Sequence, residues 1–200
     1  DHYTIYDLPG MYSLISHSKE EKTARDFLCF NNDIDVTVVV CNAQSLERSL
    51  NLALQILEIT PNVILVINLM DEAKKKNINI NTKKLHTILN IPIITTTATY
   101  NKGLDELKKA ISIAVSKKNT KEFHIQYNPK LSSSITKINK YLKDIPHSKW
   151  LSRTLLTSSK EDVTLLLKKI KLTKNQEELL IKTIKQEQAN LSNIDLNYQI

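Results

Sequence analysis

The sequence predicts an α/β domain built on a parallel sheet, followed by a smaller all-helical domain. Short β-branched runs alternate with amphipathic stretches over the first two-thirds of the chain, which is the pattern of βαβ units. Near residue 119 the chain turns polar, and from about residue 131 to 191 the apolar patterns have helical spacing only. We therefore expect an α/β domain over residues 1–118 and a helical domain over residues 119–200.

Four segments of the first domain are predicted to be strands. They are residues 2–6 (HYTIY), 35–41 (DVTVVVC), 62–68 (NVILVIN) and 91–96 (IPIITT). The second is β-branched almost throughout, which is typical of a strand covered on both faces. Ligands of parallel sheets bind where the strands end, so functional residues are expected in the loops that follow.

Four stretches of the first domain have helical spacing. They are residues 19–30, 45–58, 81–90 and 103–117. Ser45 is the expected N-cap of the second. In the helical domain, SKED at 159–162 has the form of a capping box, and TKNQEE at 173–178 begins another helix in a similar way.

Composition narrows the class of protein. The chain is 41% hydrophobic and 24% charged, with a net charge of +7 and 6% aromatic residues. A basic balance can indicate nucleic acid or an anionic membrane surface, but it also fits a lysine-rich solvated surface. The low aromatic content argues against a surface that stacks the bases of single-stranded nucleic acid. Cys29 and Cys41 lack metal-ligand spacing and are expected to be free thiols in a reducing compartment.

Asp7, Leu8, Pro9 and Gly10 follow the first predicted strand. A carboxylate at this position can hold Mg²⁺ through a water molecule, and a glycine amide can approach a phosphate closely because no Cβ obstructs it. The same four-letter pattern also occurs in ordinary turns, so this motif alone does not decide between the two.

Asn68, Leu69, Met70 and Asp71 form the loop after the third predicted strand. The Asp71 carboxylate can accept both the N1–H and the exocyclic amine of guanine. Adenine has the opposite donor and acceptor pattern, so it would leave polar groups unpaired. Asn68 would tie this loop to its neighbours and contact the base.

Thr96, Thr97 and Ala98 follow the fourth predicted strand, and Gly103 begins the last helix of the domain. Backbone amides around the small Ala98 side chain can meet the guanine carbonyl oxygen. Three loops in this order, one for phosphate and two for the base, predict a guanine-nucleotide site.

Five stretches together resemble the cytoplasmic GTPase domain of the ferrous iron transport protein B family. They are DLPGMYSL, EEKTARDFL, DVTVVVCNAQSLERSLNLALQILE, NVILVINLMDEAKKKNININTKKL and IPIITTTATYNKGLDELKKAI. Leu69 stands where ordinary small GTPases have lysine, as this family prefers. The resemblance covers about residues 1–117. It implies a P-loop GTPase-type sheet and, from about 125 to 195, a helical regulatory domain that stabilises bound GDP.

The resemblance also implies ligands and partners. The site residues above would bind GTP or GDP, with Mg²⁺ held by Asp7 through water, and K⁺ is a further candidate in the intact parent. The partners would be the membrane-spanning part of the same transporter and small accessory iron-transport proteins, at the cytoplasmic face of the bacterial inner membrane. No nucleic acid is expected.

Several departures from the family pattern matter. The phosphate-binding pattern GxxxxGK[ST] is absent from the 200 residues, as is the threonine of the first switch loop. Cys41-Asn42 replaces the expected Val-Asp, and Met11 offers no catalytic base, so no catalytic residue is assigned. We expect a chain cut before the DLPG strand, without its phosphate loop and first strands, that is inactive alone.

Two other hypotheses stay open at this stage. One is a GTPase that acts on RNA or the ribosome, which the net charge of +7 favours and salt-dependent RNA binding would support. The other is a degenerate, non-enzymatic regulatory domain that has lost its phosphate loop.

Overall fold

The computed structural model describes residues 2–14, 18–31, 33–117, 119, 123 and 125–191. The chain divides into two compact units, Asp1–Phe123 and His124–Ile200. The first contains a parallel sheet with helices, and the second contains helices. The α/β and helical fold classes are therefore confirmed, whereas the assignment of a GTPase domain to residues 1–118 and a regulatory domain to residues 119–200 stays a prediction.

The first unit alternates helices and strands in the order α1, β1, α2, β2, α3, α4, β3, α5. Their bounds are α1 Lys19–Phe30, β1 Thr37–Asn42, α2 Leu46–Leu57, β2 Val63–Asn68, α3 Met70–Lys75, α4 Thr82–Leu89, β3 Ile93–Thr95 and α5 Leu104–Ser116. Short 3₁₀ turns at Ala43–Ser45 and Ala98–Tyr100 follow β1 and β3.

The strands form a parallel sheet in the order β1-β2-β3. Asn42 at the end of β1 lies beside Asn68 at the end of β2. Ile67 in turn lies beside Thr95, the last residue of β3. The carboxyl ends of the three strands therefore share one edge, which is where a parallel sheet binds ligands.

The core of the first unit surrounds β2. Ile64 and Val66 pack with Ala114 of α5, and Leu107 and Ile111 of the same helix pack against this cluster. Side chains alternate along a strand, so Leu65 points to the other face, where α2 packs against β1 and β2. Leu65 is fully buried, which shows that both faces of β2 are covered.

The predicted strand at residues 2–6 is wrong. These residues form no strand, and the side chain of Ile5 is 86% exposed. Alternating β-formers become a strand only when they pair with a neighbour and pack on a face, and no strand pairs with this segment in the described part of the chain. The Tyr6 ring instead packs against Phe27 of α1, with 5.0 Å between ring centroids.

The prediction that residues 35–41 are covered on both faces is also wrong. Val39 and Cys41 are buried, but Val40 is 64% exposed. Val38 and Val40 lie beside Ile64 and Val66 of β2, and α5 packs on those two β2 residues, so the exposed face of β1 is the one that α5 covers at β2. The β-branched composition predicted a strand correctly and its burial incorrectly.

α1 has the predicted bounds, and the other three predicted helices of the first unit are each shorter by one residue at each end. One cap also differs. Ser18 caps α1 in a reciprocal box with Glu21. Ser45 lies at the N-cap position of α2, but its side chain makes no capping hydrogen bond. Asn42 instead accepts a hydrogen bond from the Gln44 amide and caps the 3₁₀ turn. This turn leads directly into α2.

Over its described residues, 125–191, the second unit contains four helices. They are α6 Pro129–Asn139, α7 Ser148–Thr157, α8 Lys160–Leu167 and α9 Lys174–Leu191. α7 is central, since every residue from Trp150 to Leu156 is buried. Ser159 accepts a hydrogen bond from the Asp162 amide at the start of α8, and Thr173 does so from Gln176 before α9, which confirms both predicted helix starts.

No helix among the described residues combines the length and the apolar character that crossing a bilayer requires.

Candidate functional site

Asn68 joins two of the predicted base-reading loops. Its Oδ1 atom accepts a hydrogen bond from the Thr96 hydroxyl at 3.0 Å and from the Ala98 backbone amide at 3.1 Å. The Met70 amide donates to the Thr96 carbonyl oxygen at 3.3 Å. The Thr96 amide donates in turn to the Ile67 carbonyl oxygen at 2.8 Å, so the ends of β2 and β3 are held together by one side chain and two backbone hydrogen bonds.

Leu69 sets the direction of the chain after β2. Its backbone is left-handed, with φ 63° and ψ 38°, and α3 begins at the next residue. Met70 and Asp71 therefore lie in the first turn of a helix, not in a loop as predicted. The left-handed conformation costs a non-glycine residue about 1–2 kcal/mol, so the surrounding structure must hold Leu69 in this geometry.

Asp71 carries an unsatisfied acceptor. Its Oδ1 atom is buried and has no hydrogen-bond partner among the described residues. Leaving such an atom unpaired costs about 1–3 kcal/mol, and more when it is charged. A ligand that donates hydrogen bonds would remove this cost, and a guanine base offers two adjacent donors for a carboxylate. The arrangement at Asp71 therefore fits the predicted base.

The loop from Thr96 to Gly103 is closed on itself. Thr97 and Lys102 exchange backbone hydrogen bonds, at 3.1 Å and 3.3 Å. Gly103 has φ +81°, and a Cβ on it would lie 2.2 Å from the Thr95 carbonyl oxygen. Thr96 and Thr97 are both buried, so burial, backbone hydrogen bonds and the close approach at Gly103 all constrain the shape of the loop.

The Ala98 amide has a partner in this structure. Because it donates to Asn68, the predicted contact with the guanine carbonyl oxygen would require this hydrogen bond to be exchanged or a neighbouring amide to take the role. The sequence could place Ala98 in the loop, but it could not show which backbone donors are already engaged.

Asp7 and Gly10 lie in an exposed segment of the chain. Asp7 is exposed, Leu8 is half-buried, and Pro9 and Gly10 are exposed. No heavy atom lies within 4 Å of the position that a Cβ would take on Gly10. The open surroundings leave space for close approach of a phosphate, but the role of these residues and of Asp7 in holding Mg²⁺ stays a prediction.

The segment that follows DLPG is held on α2 by contacts that sequence reasoning missed. Gln55 Oε1 accepts from the Ser13 hydroxyl at 3.0 Å and from the Leu14 amide at 2.5 Å. The Arg48 guanidinium lies 3.7 Å from the centre of the Tyr12 ring. Gln55 is 2% exposed. A glutamine among the apolar positions of a helix was the feature of the sequence that could have indicated this buried polar contact.

The two cysteines are buried and free. Burial raises the pKa of Cys41 to about 11, although a hydrogen bond with Ser49 partly opposes this. Burial also raises the pKa of Cys29 well above its usual value. Both side chains are therefore neutral thiols near pH 7, and neither is an activated nucleophile.

Comparison with known proteins places the chain. The family model described as ferrous iron transport protein B matches residues 1–111. The chain is 42% identical to the Fe(2+) transporter FeoB of Helicobacter pylori over 95 residues, which cover 48% of this chain and 15% of that protein. It is 33% identical to the Escherichia coli transporter over 158 residues, covering 76% of this chain and 20% of that protein. The chain thus spans about a fifth or less of these relatives.

Solved structures agree. The cytosolic domain of the T. maritima FeoB iron transporter in its apo form has a TM-score of 0.72 and 33% identity, covering 94% of this chain and 76% of that one. A mutant of S. thermophilus NFeoB bound to GDP has a TM-score of 0.79 and 25% identity, with 93% and 71% covered. Because a family model matches residues 1–111 of its 200, the chain belongs to the ferrous iron transport protein B family.

Proposed function

We propose that this chain is the guanine-nucleotide-responsive part of a ferrous iron transporter, in which GTP binding and hydrolysis by the whole protein regulate Fe(II) uptake. The observation that carries the proposal is the buried, unpaired Oδ1 atom of Asp71. It lies in the first turn after Asn68, whose own oxygen fixes the neighbouring loop. The FeoB domains of similar fold that were solved with GDP or GMPPNP support this proposal.

Base selection would follow from unequal satisfaction of polar groups. With guanine, the Asp71 carboxylate accepts from N1–H and from the exocyclic amine. With adenine, the carboxylate faces an acceptor nitrogen and stays unpaired. Losing such paired contacts in a site built for them discriminates strongly between otherwise similar ligands. The rigid loop around Gly103 supports this because it needs little reordering when the base enters.

Phosphate binding would need residues outside this set. The 200 residues contain no GxxxxGK[ST] pattern, whose lysine and backbone amides supply most of the phosphate contacts in P-loop GTPases. Asp7 would hold Mg²⁺ through water, and Mg²⁺ would neutralise charge on the phosphates. We expect these 200 residues alone to bind GTP weakly and not to hydrolyse it.

Regulation would use the switch segment 7–21, of which residues 12–14 lie against α2 through Gln55 and Arg48. Order in such a segment changes when a γ-phosphate is bound or lost. The helical unit would pass the change to the membrane-spanning part of the transporter, at the cytoplasmic face of the bacterial inner membrane. Small accessory iron-transport proteins are further candidate partners.

Binding of a fluorescent GDP analogue tests the proposal. Two proteins are compared: these 200 residues, and a longer protein in which a GxxxxGK[ST] segment is joined ahead of Asp1. We expect the longer protein to bind at least about tenfold more tightly, a difference of about 1.4 kcal/mol, and GTP but not ATP to compete. Asp71→Ala should abolish this preference.

The matched control is Asp105→Ala, which removes an exposed aspartate from α5 and should leave nucleotide binding unchanged. Equal competition by ATP, or unchanged binding by Asp71→Ala, would contradict the assignment of the base site. If neither protein binds guanine nucleotides, the non-enzymatic regulatory hypothesis replaces this one.

A further inference from the structure

An open groove lies between the start of α2 and α4, in the first unit. Its volume is about 660 Å³. One wall is the 3₁₀ turn with the first residues of α2, and the other is the segment after α3 together with α4. Its main side chains are Leu46, Arg48, Ile78, Ile80, Lys84 and Ile88. None of these is among the residues assigned to the nucleotide.

The groove presents apolar side chains to solvent. Ile78 is 36% exposed and Ile88 is 47% exposed, and both line the groove together with Ile80. Isolated exposed apolar residues are ordinary, but a cluster in a concave surface marks an interaction site. Ile78 and Ile80 come from the segment after α3, and Ile88 comes from α4. One occupant lying in the groove could therefore contact all three.

Basic groups outnumber acidic ones around this apolar surface. Arg48 and Lys84 line the groove, and Glu47 is the one acidic residue among its lining. Lys76 adds a further positive charge beside the groove, because its Nζ donates a hydrogen bond to Gln44, a lining residue. An occupant with carboxylates beside an apolar face would complement this distribution of charge.

Arg48 is positioned to receive a carboxylate. Its guanidinium stacks over the Tyr12 ring at 3.7 Å, a contact made through the face of the group. The five N–H donors lie in the plane of the guanidinium and point away from its edges. Stacking therefore orders the side chain while its edge stays suited to a bidentate contact.

We propose that this groove binds an acidic amphipathic helix from a partner protein. Apolar residues at positions i, i+3 or i+4, and i+7 would cover Ile78, Ile80 and Ile88, in the general manner of a helix laid in a groove. Flanking carboxylates would meet Arg48 and Lys84. The inference goes beyond the proposed function, and its test uses the chain without nucleotide.

The probe is a designed helical peptide of about 14 residues, or roughly four turns. Leucines occupy one face and glutamates flank it, with a fluorescent label at one end. A second peptide has lysine in place of each glutamate. Fluorescence anisotropy with the 200-residue chain should show saturable binding of the acidic peptide, at least about tenfold tighter than binding of the basic one.

Two pairs of variants locate the binding surface. Ile88→Ser and Lys84→Glu change the groove, and each should weaken binding of the acidic peptide by about tenfold or more. Their controls, Ile113→Ser and Lys109→Glu, make the same changes at exposed positions on α5 and should leave it within about twofold. Circular dichroism melts show that each variant is folded.

Three results would overturn the proposal. One is equal binding of the acidic and basic peptides, and another is acidic-peptide binding that ignores both groove variants. The third is a dimer of the chain that Ile88→Ser dissociates, measured by sedimentation, without peptide binding by the parent. Such a dimer, formed by a chain that does not bind the peptide, would mean that the groove binds a second copy of the chain.

Discussion

At the scale of single residues, Gly103 fixes the loop that carries Thr96, Thr97 and Ala98. Its φ of +81° is open to glycine and strained for other residues. The Thr95 carbonyl oxygen also occupies the space that a side chain would need. The shape of the loop that is predicted to read the base therefore depends on one glycine.

Gly103→Ala should destabilise the first unit by about 2–4 kcal/mol, because it combines a strained backbone with a steric clash. The measurement is urea unfolding followed by circular dichroism. Gly10→Ala is the control, since nothing lies within 4 Å of its Cβ position, and its midpoint should change little. Equal effects of the two substitutions would contradict the role given to Gly103.

The sequence located the candidate site better than it predicted the site's conformation. Asn68 and Asp71 could be placed at the end of a strand and just after it, because the apolar run of β2 ends at Ile67. The left-handed Leu69 could not be predicted, because leucine rarely adopts that conformation. Without it, nothing in the sequence showed that α3 begins at Met70 and carries Asp71 in its first turn.

At the scale of elements, the attachment of residues 12–14 to α2 depends on a buried glutamine. Gln55 accepts two hydrogen bonds from this segment and donates a third to Ser13. Leu14 is fully buried, so its amide would have no solvent to replace Gln55. The helix thereby orders a segment that the proposed function assigns to nucleotide response.

Gln55→Ala should release this segment. Leaving the Leu14 amide unpaired costs about 1–3 kcal/mol, so local opening should become about tenfold more frequent or more. Limited proteolysis with chymotrypsin, which cleaves after aromatic residues, should then cut faster at the exposed Tyr12.

Gln44→Ala is the matched substitution, because the Gln44 side chain accepts from an exposed lysine and does not hold residues 12–14. Cleavage at Tyr12 should stay at the parent rate in this variant. If Gln55→Ala is cleaved no faster than Gln44→Ala, Gln55 does not hold the segment closed.

Elements with local signals were predictable, whereas those that need a distant partner were not. The bounds of α1 follow from its spacing and from the Ser18 and Glu21 pair, which act within a few residues. The strand predicted at residues 2–6 needed a neighbour, and the cover of β1 needed a packed layer. Neither requirement can be evaluated from the segment's own residues.

At the scale of the whole molecule, each unit has buried apolar residues of its own, and the helical unit also carries a fluorescence probe. The chain has a single tryptophan, and Trp150 is buried in the helical unit. Its fluorescence follows unfolding of that unit. A buried carboxylate there, Glu187 of α9, accepts from the Ser134 hydroxyl at 2.6 Å and from Lys137 Nζ at 2.8 Å, which joins α9 to α6.

Burial acts to raise the pKa of Glu187, but hydrogen bonds from Lys137 and Ser134 and the charge of Lys137 outweigh it and lower the pKa below its usual 4.5. A lowered folded-state pKa stabilises the fold above pH 4.5, and this stabilisation disappears as the pH falls through the folded-state value.

Glu187→Gln should therefore lower stability near pH 7 by about 1–2 kcal/mol, a range that allows for the exposure of Lys137. The difference from the parent should shrink below pH 4.5. Denaturant unfolding monitored by Trp150 fluorescence at several pH values measures this. Glu178→Gln, at an exposed position of the same helix, should show no such dependence, and a pH-independent effect of Glu187→Gln would exclude the ionic contribution.

The edge position of β1 also bears on how these 200 residues alone behave in concentrated solution. β1 pairs with β2 along one side, and its outward face carries the exposed Val38 and Val40. Regular strands at a sheet edge act as templates on which other chains deposit, and charged residues usually interrupt them. The six residues of β1, TVVVCN, contain no charge, so its surface is where aggregation should begin during storage.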